Sequence, residues 1–247
     1  MLARTIDGWR EACDEVAAKM LAEAGLEDAP VDMFALAEAL DFDIVIDRTM
    51  LGRTRFKQLG GRATIFLKPD KVSERQQWAL AHELGERSVE RVLLELGTQE
   101  KVGGRLREQI ATEVASRLLL PGRAFLEAVE ETDGDLDALK ARFESASYDL
   151  ILLSLLRWPE ESVVTLLEES SAVRRFGNRG PAPKMAAVEH ELTGDLLREG
   201  GRVDRVEDGI RLQGWTVGGP EGVRVMLRTT KAPKVPRQLE FADLMAA

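Results

Sequence analysis

Trp78-Ala79-Leu80-Ala81-His82-Glu83-Leu84-Gly85-Glu86-Arg87 is the stretch on which the fold turns. It lies inside an apolar-periodic run that predicts one helix over about residues 74–96. Residues four apart share a helix face, so His82 and Glu86 project together, with Glu83 beside them. Ser73 with Gln76 reads as a capping box at the start of this helix.

Working outward, the N-terminal side carries two further helices. Trp9, Cys13, Val16 and Met20 recur at helical spacing between about Asp7 and Ala24, and Gly25 is placed to stop that run. Pro30-Val31-Asp32 opens a second helix through Leu40, with Asp32 as its N-cap. Residues 41–47 alternate polar and apolar, which predicts a half-buried strand. Residues 53–67 read as a hairpin turning at Gly60-Gly61, where positive φ angles are needed.

On the C-terminal side, helices are predicted over about 106–120, 122–129, 135–143 and 147–156. Ala111, Ala115 and Ser116 are small enough to let the first of these approach another helix closely. Trp158-Pro159 marks a change of texture, and a domain boundary is placed at 159. Beyond it, residues 162–167, 209–216 and 222–227 read as strands, 172–184 as a basic loop and 185–198 as a short helix. Trp158 and Trp215 are expected in the core of this part, and the tail after Thr230 is expected to be loosely held.

Composition excludes several classes. With 44% hydrophobic and 31% charged residues, the 247-residue chain reads as soluble and globular. A net charge of -9 offers no general basic field for nucleic acid. Cys13 is the single cysteine, so no disulfide forms within the chain. No apolar run approaches the roughly 20 residues of a membrane helix. Met1 to Asp7 carries charges and lacks the apolar core of a signal peptide. A cytoplasmic protein without membrane or direct nucleic-acid contact is expected.

The signature H-E-x-x-H of zinc peptidases sets two His ligands four residues apart, with a general-base Glu after the first. Here Glu86 stands where the second His would. A carboxylate also ligates divalent ions, so the pattern is altered rather than erased. Downstream runs Arg107-Glu108-Gln109-Ile110-Ala111-Thr112-Glu113-Val114-Ala115-Ser116-Arg117-Leu118-Leu119-Leu120-Pro121. With the motif helix, and with Arg142 to Ser147 behind it, this stretch resembles the ImmA/IrrE family of metallopeptidases over about residues 10–158.

That resemblance implies an α+β, mainly helical, zincin-like core with a small three-stranded sheet over residues 1–159. A smaller strand-rich domain of unknown role then covers 160–247. It implies His82, Glu86 and Glu108 as metal ligands, Glu108 falling thirteen residues before Pro121 as the family's third ligand does. Glu83 is implied as the catalytic base. The ion is zinc by resemblance, while the carboxylate-rich set also suits manganese or iron(II). The implied function is regulatory cleavage of a protein substrate, a helix-turn-helix repressor, in stress, phage or mobile-element control. The strand at Ala63 to Leu67 is expected to take the substrate by strand addition.

The competing function is an inactive binding or sensing module on the same fold, and a weaker third reading makes residues 160–247 a ligand sensor. Blander roles stand beside each residue. Glu83 and Glu86 suit a solvated face paired with Arg87 and Arg91, and Glu108 suits a partner in Arg105 or Thr112. Glu113 is an alternative ligand outside the family spacing. His190 lacks a ligand-type residue at i+4 and reads as a surface or structural histidine. Tyr148 reads as core before oxyanion donor, and Arg174, Arg175 and Arg179 as a solvated loop.

Overall fold

A computed structural model describes residues 8–98, 101–168, 173–219 and 222–232. The chain divides into two units after Ile151, and the architecture is α+β. In the first unit, α1 (Trp9–Ala24) buries Cys13, Val16 and Met20 along one stripe and stops at Gly25, whose φ is 66°. Helix α2 (Met33–Ala39) starts as its sequence predicts, the Asp32 side chain accepting from the Phe34 N–H at 2.9 Å.

Three strands follow: β1 (Phe42–Ile46), β2 (Thr54–Leu59) and β3 (Arg62–Leu67). Gly60 and Gly61, at φ 56° and 86°, make the turn between the last two. The sheet order is β1-β3-β2, with β1 parallel and β2 antiparallel to β3. The strand expected to receive a substrate is therefore the central one. Both of its edges are already paired, so strand addition at Ala63 to Leu67 is excluded. The local alternation of β1 gave no sign that it would close the second edge in parallel.

Next come α3 (Ser73–Glu95), α4 (Gly104–Leu119), α5 (Gly122–Thr132), α6 (Leu136–Arg142) and α7 (Tyr148–Ser154). The expected capping box of α3 does not form. Val72 is the N-cap and Ser73 already lies within the helix, its hydroxyl on Glu74 at 3.2 Å. Helix α3 is fixed from outside instead: Gln77 accepts from the Met33 N–H at 2.7 Å and donates to Asp32 at 2.9 Å.

Helices α1, α3 and α4 pack around Leu80, Leu84, Ile110 and Leu118, all fully buried or nearly so. Rim ion pairs tie α1 to its neighbours: Lys19–Glu95 at 2.6 Å, Arg91–Glu23 at 2.7 Å and Arg117–Asp14 at 3.1 Å. Where α3 crosses α4, a Cβ at Gly85 would lie 2.3 Å from the Ala111 carbonyl oxygen. Only glycine permits that approach, and it sets the distance between the two helices that carry the site.

The second unit is a five-stranded antiparallel sheet of order β5-β4-β8-β7-β6. Its strands are β4 (Ser162–Glu168), β5 (Val173–Gly177), β6 (Arg202–Glu207), β7 (Ile210–Gly219) and β8 (Gly222–Lys231). Helix α8 (Ala187–Glu199) covers one face, packing Leu192 and Leu196 on Leu212, Val225 and Leu227. Trp215 is buried as expected, whereas Trp158 is only half-buried. Of the tail after Thr230, residues 233–247 lie outside the described residues.

Two strands were not legible. The basic stretch read as a loop contains β5, and β6 was not expected at all. Both are outer strands, formed because β4 and β7 offer open edges rather than because of their own apolar pattern.

Arg175 is correspondingly not a solvated loop residue. It reaches the buried Glu189 carboxylate at 3.2 Å and the Thr165 hydroxyl at 2.6 Å. Glu189 also accepts from Thr229 at 2.6 Å and from the Ala186 N–H at 2.8 Å, so β5, β8 and the start of α8 meet on one carboxylate, and β4 joins them through Thr165 on Arg175. Removing one partner of a buried ion pair costs about 3–5 kcal/mol, because the other charge remains desolvated. Glu189→Gln is expected to destabilise the second unit on that scale, measured as a lowered urea midpoint. A midpoint within error of the unaltered protein would refute this role.

Candidate metal centre

In its third and fourth turns, α3 presents His82 and Glu86 on the face turned toward α4. Arg107 and Glu108, consecutive residues of α4, meet them there. His82 Nε2 and Glu108 Oε1 are 3.0 Å apart. Arg107 Nε donates to Glu86 Oε2 at 3.0 Å, and its Nη2 donates to the Glu86 backbone carbonyl at 3.0 Å. The third arm of the guanidinium, Nη1, reaches Glu90 at 2.8 Å. That hydrogen bond holds the Glu90 carboxyl below the usual carboxylate range.

His82, Glu86 and Glu108 each offer one ligand atom, and the three atoms lie within 4.8 Å of one another. Donors each about 2 Å from a common ion lie roughly 3–4 Å apart. The His82–Glu108 separation already meets this, and small side-chain rotations bring in Glu86. One Glu86 oxygen faces Arg107, and a carboxylate has a second to give. The side chains of His82 and Glu86 are 25% and 22% exposed and that of Glu108 63%, so two donors are partly enclosed and the third faces solvent. The residues present fit a divalent cation with an open coordination position.

Charge supports the fit. The two carboxylates bring two negative charges, and Arg107 returns one positive charge. A carboxylate paired with a guanidinium is close to neutral, as an imidazole would be at the same place. Arg107 was not singled out from the sequence, although it stands next to Glu108 in the stretch that was.

Glu83 is not among the three. Its side chain is only 12% exposed and lies 3.8 Å from Arg87, whose guanidinium covers the Phe56 ring of β2 at 4.3 Å. The expected partner of Glu86 or Glu83 in Arg91 is not realised, because Arg91 binds Glu23 of α1. Trp78, one turn before His82, stands with its ring centroid 6.3 Å from the imidazole.

The remaining candidates lie elsewhere. Glu113 binds Arg117 at 2.6 Å. The Tyr148 hydroxyl donates to Asp137 at 3.3 Å, and burial, followed by that carboxylate, pushes its pKa up. His190 is exposed on α8. Burial pushes the Cys13 thiol up to about 12, which leaves it a packed apolar side chain. Among the described residues, no helix is long and apolar enough to cross a membrane.

No curated protein matches the chain. Among solved structures, a Mycobacterium tuberculosis transcriptional regulator is similar, with a TM-score of 0.66 at 16% identity over 92% of this chain and 81% of that one. At that identity the likeness concerns the fold alone. Residues 37–151 match the Peptidase M78 family, described as the IrrE N-terminal-like domain, and this span contains β1 to β3, helices α3 and α4, and with them His82, Glu83, Glu86, Arg107 and Glu108. Residues 37–151 thus form an IrrE N-terminal-like domain of the Peptidase M78 type, a metallopeptidase-like fold.

Proposed function

We propose that the chain is a metal-dependent regulatory endopeptidase acting on a protein substrate, a helix-turn-helix repressor by the family resemblance. The observation that carries the reading is the convergence of His82, Glu86 and Glu108 across two helices inside a Peptidase M78 domain. Zinc is the first choice of ion, and a site with two carboxylates also suits manganese or iron(II). When bound, such an ion lowers the pKa of a coordinated water and polarises the scissile carbonyl. Glu83 accepts a proton from the attacking water and returns it to the leaving amine.

Arg107 has its own part. Its fork fixes both the carboxylate and the carbonyl of Glu86. Lysine keeps the charge but not the fork. Loss of an outer-shell partner typically weakens metal binding about 10–100-fold, and Arg107→Lys is expected to do so. Competition with a chromophoric chelator measures it; unchanged zinc affinity would show that Arg107 only neutralises charge.

The grip of Arg107 on Glu86 also favours a second reading, in which the same fold binds a partner without cutting it. Co-expression with helix-turn-helix proteins of the same genome, followed by mass spectrometry, separates the two. Cleavage that disappears in His82→Ala supports the peptidase, and no cleavage of any such protein supports the binding module.

A further inference from the structure

The hairpin beside the site has a charge opposite to that of the chain. Residues 53–68 hold Arg53, Arg55, Lys57, Arg62 and Lys68 and no acidic residue, against a net charge of -9 for the whole. Arg62 faces Asp43 of β1 at 3.2 Å, and Arg55 faces Asp47, just after β1, at 3.7 Å. Lys57 makes no such pair among the described residues.

Strand β2 forms one end of its sheet, with β3 as its single strand neighbour among the described residues. Its other edge offers backbone donors and acceptors. Arg55 and Lys57 lie over the Phe66 ring, at 5.0 and 6.0 Å, and so share one face of the sheet. Phe56 points to the opposite face, under Arg87, which in turn contacts Glu83. The open edge of β2 thus leads to the proposed catalytic carboxylate through two side chains.

We propose that Arg55 and Lys57 make the edge of β2 selective for an extended peptide segment with acidic residues at alternate positions. This rests on the peptidase reading for its purpose, not for its chemistry. A strand added beside β2 sets every second side chain about 5 Å from Arg55 or Lys57. The intervening side chains turn toward Phe56 and the motif helix. Backbone pairing fixes the segment, and the two cations choose its sequence. Nucleic acid is the less suitable occupant, because it cannot satisfy the strand's N–H and C=O groups.

The test uses the full chain with chelator present, so that binding is read without cleavage. A short fluorescent peptide alternating glutamate and threonine is compared with its glutamine–threonine counterpart by anisotropy. The acidic peptide is expected to bind about tenfold more tightly at low salt, through two cross-strand charge pairs, and the difference should shrink as salt screens them. The double substitution Arg55→Glu, Lys57→Glu should reverse the preference toward a lysine–threonine peptide. N-methylation of alternate peptide amides should remove binding of the acidic peptide. Equal binding of the first two peptides would overturn the proposal. So would a preference that survives the double substitution in a protein with an unchanged circular dichroism spectrum, as expected if these cations only shield the edge from self-pairing. A protein that takes up no metal and cuts nothing would defeat the peptidase reading alone, since this assay needs neither.

Discussion

Glu83→Gln is expected to abolish cleavage of the protein substrate while leaving metal content and partner binding close to those of the unaltered chain. Glutamine keeps the length and most hydrogen-bonding capacity of the side chain but cannot take a proton. A positioned general base contributes about 10²–10⁴-fold to rate, enough to move cleavage below detection in a co-expression assay. The Glu83 carboxylate is nearly buried against Arg87 and lies outside the set of three converging donors, so neither the ion nor the β2 edge depends directly on its charge. The readouts are mass spectrometry of the substrate, elemental analysis and a pull-down, taken on one preparation. Specific cleavage persisting in Glu83→Gln would defeat the mechanism. Loss of metal with loss of cleavage would move Glu83 from base to ligand.

Gly85→Ala is expected to damage both fold and site, against the usual sign of such a change. In an open helix interior alanine is better than glycine by roughly 0.5–1 kcal/mol. Here the new methyl would lie 2.3 Å from the Ala111 carbonyl oxygen, a backbone atom that moves only if α4 moves. Overpacking of this kind costs about 1–3 kcal/mol, which outweighs the gain in propensity. Glu108 is three residues before Ala111 and shares its face of α4, so the displacement carries Glu108 away from His82. Zinc affinity is expected to fall by about tenfold or more, as for loss of an outer-shell support. Thermal unfolding and a zinc titration read the two effects together. A more stable protein with unchanged affinity would show that the close crossing is not what sets the site.

What could be read from the sequence divides along physical lines. Gly60-Gly61, Asp32 and the 3.6-residue periodicity of α3 are local signals, and each element they mark formed where it was expected. The three candidate ligands also came together, the first two by helix geometry and Glu108 only through the family resemblance, since nothing local ties residue 108 to residue 82. Outer strands escaped for the converse reason. Arg202 to Glu207 has just two apolar residues, and its strand exists because β7 has an edge to pair with. Ser73 was misread by one position, which is enough to turn a cap into a first helical residue. The hold of Arg107 on Glu86 spans 21 residues and two helices; it depends on how closely α3 and α4 approach, which periodicity does not encode. Arg175 is the same case in the second unit: a charge in a basic stretch looks solvated until its buried partner on another element is known.

The central claim is that His82, Glu86 and Glu108 hold one divalent ion. Elemental analysis of the chain purified without a histidine tag, beside a His82→Ala control prepared in parallel, tests it most directly. The account predicts close to one equivalent of zinc, manganese or iron per chain in the unaltered protein and a small fraction of that in the control. Equal and negligible metal in both, after exposure to each of the three ions, would contradict it.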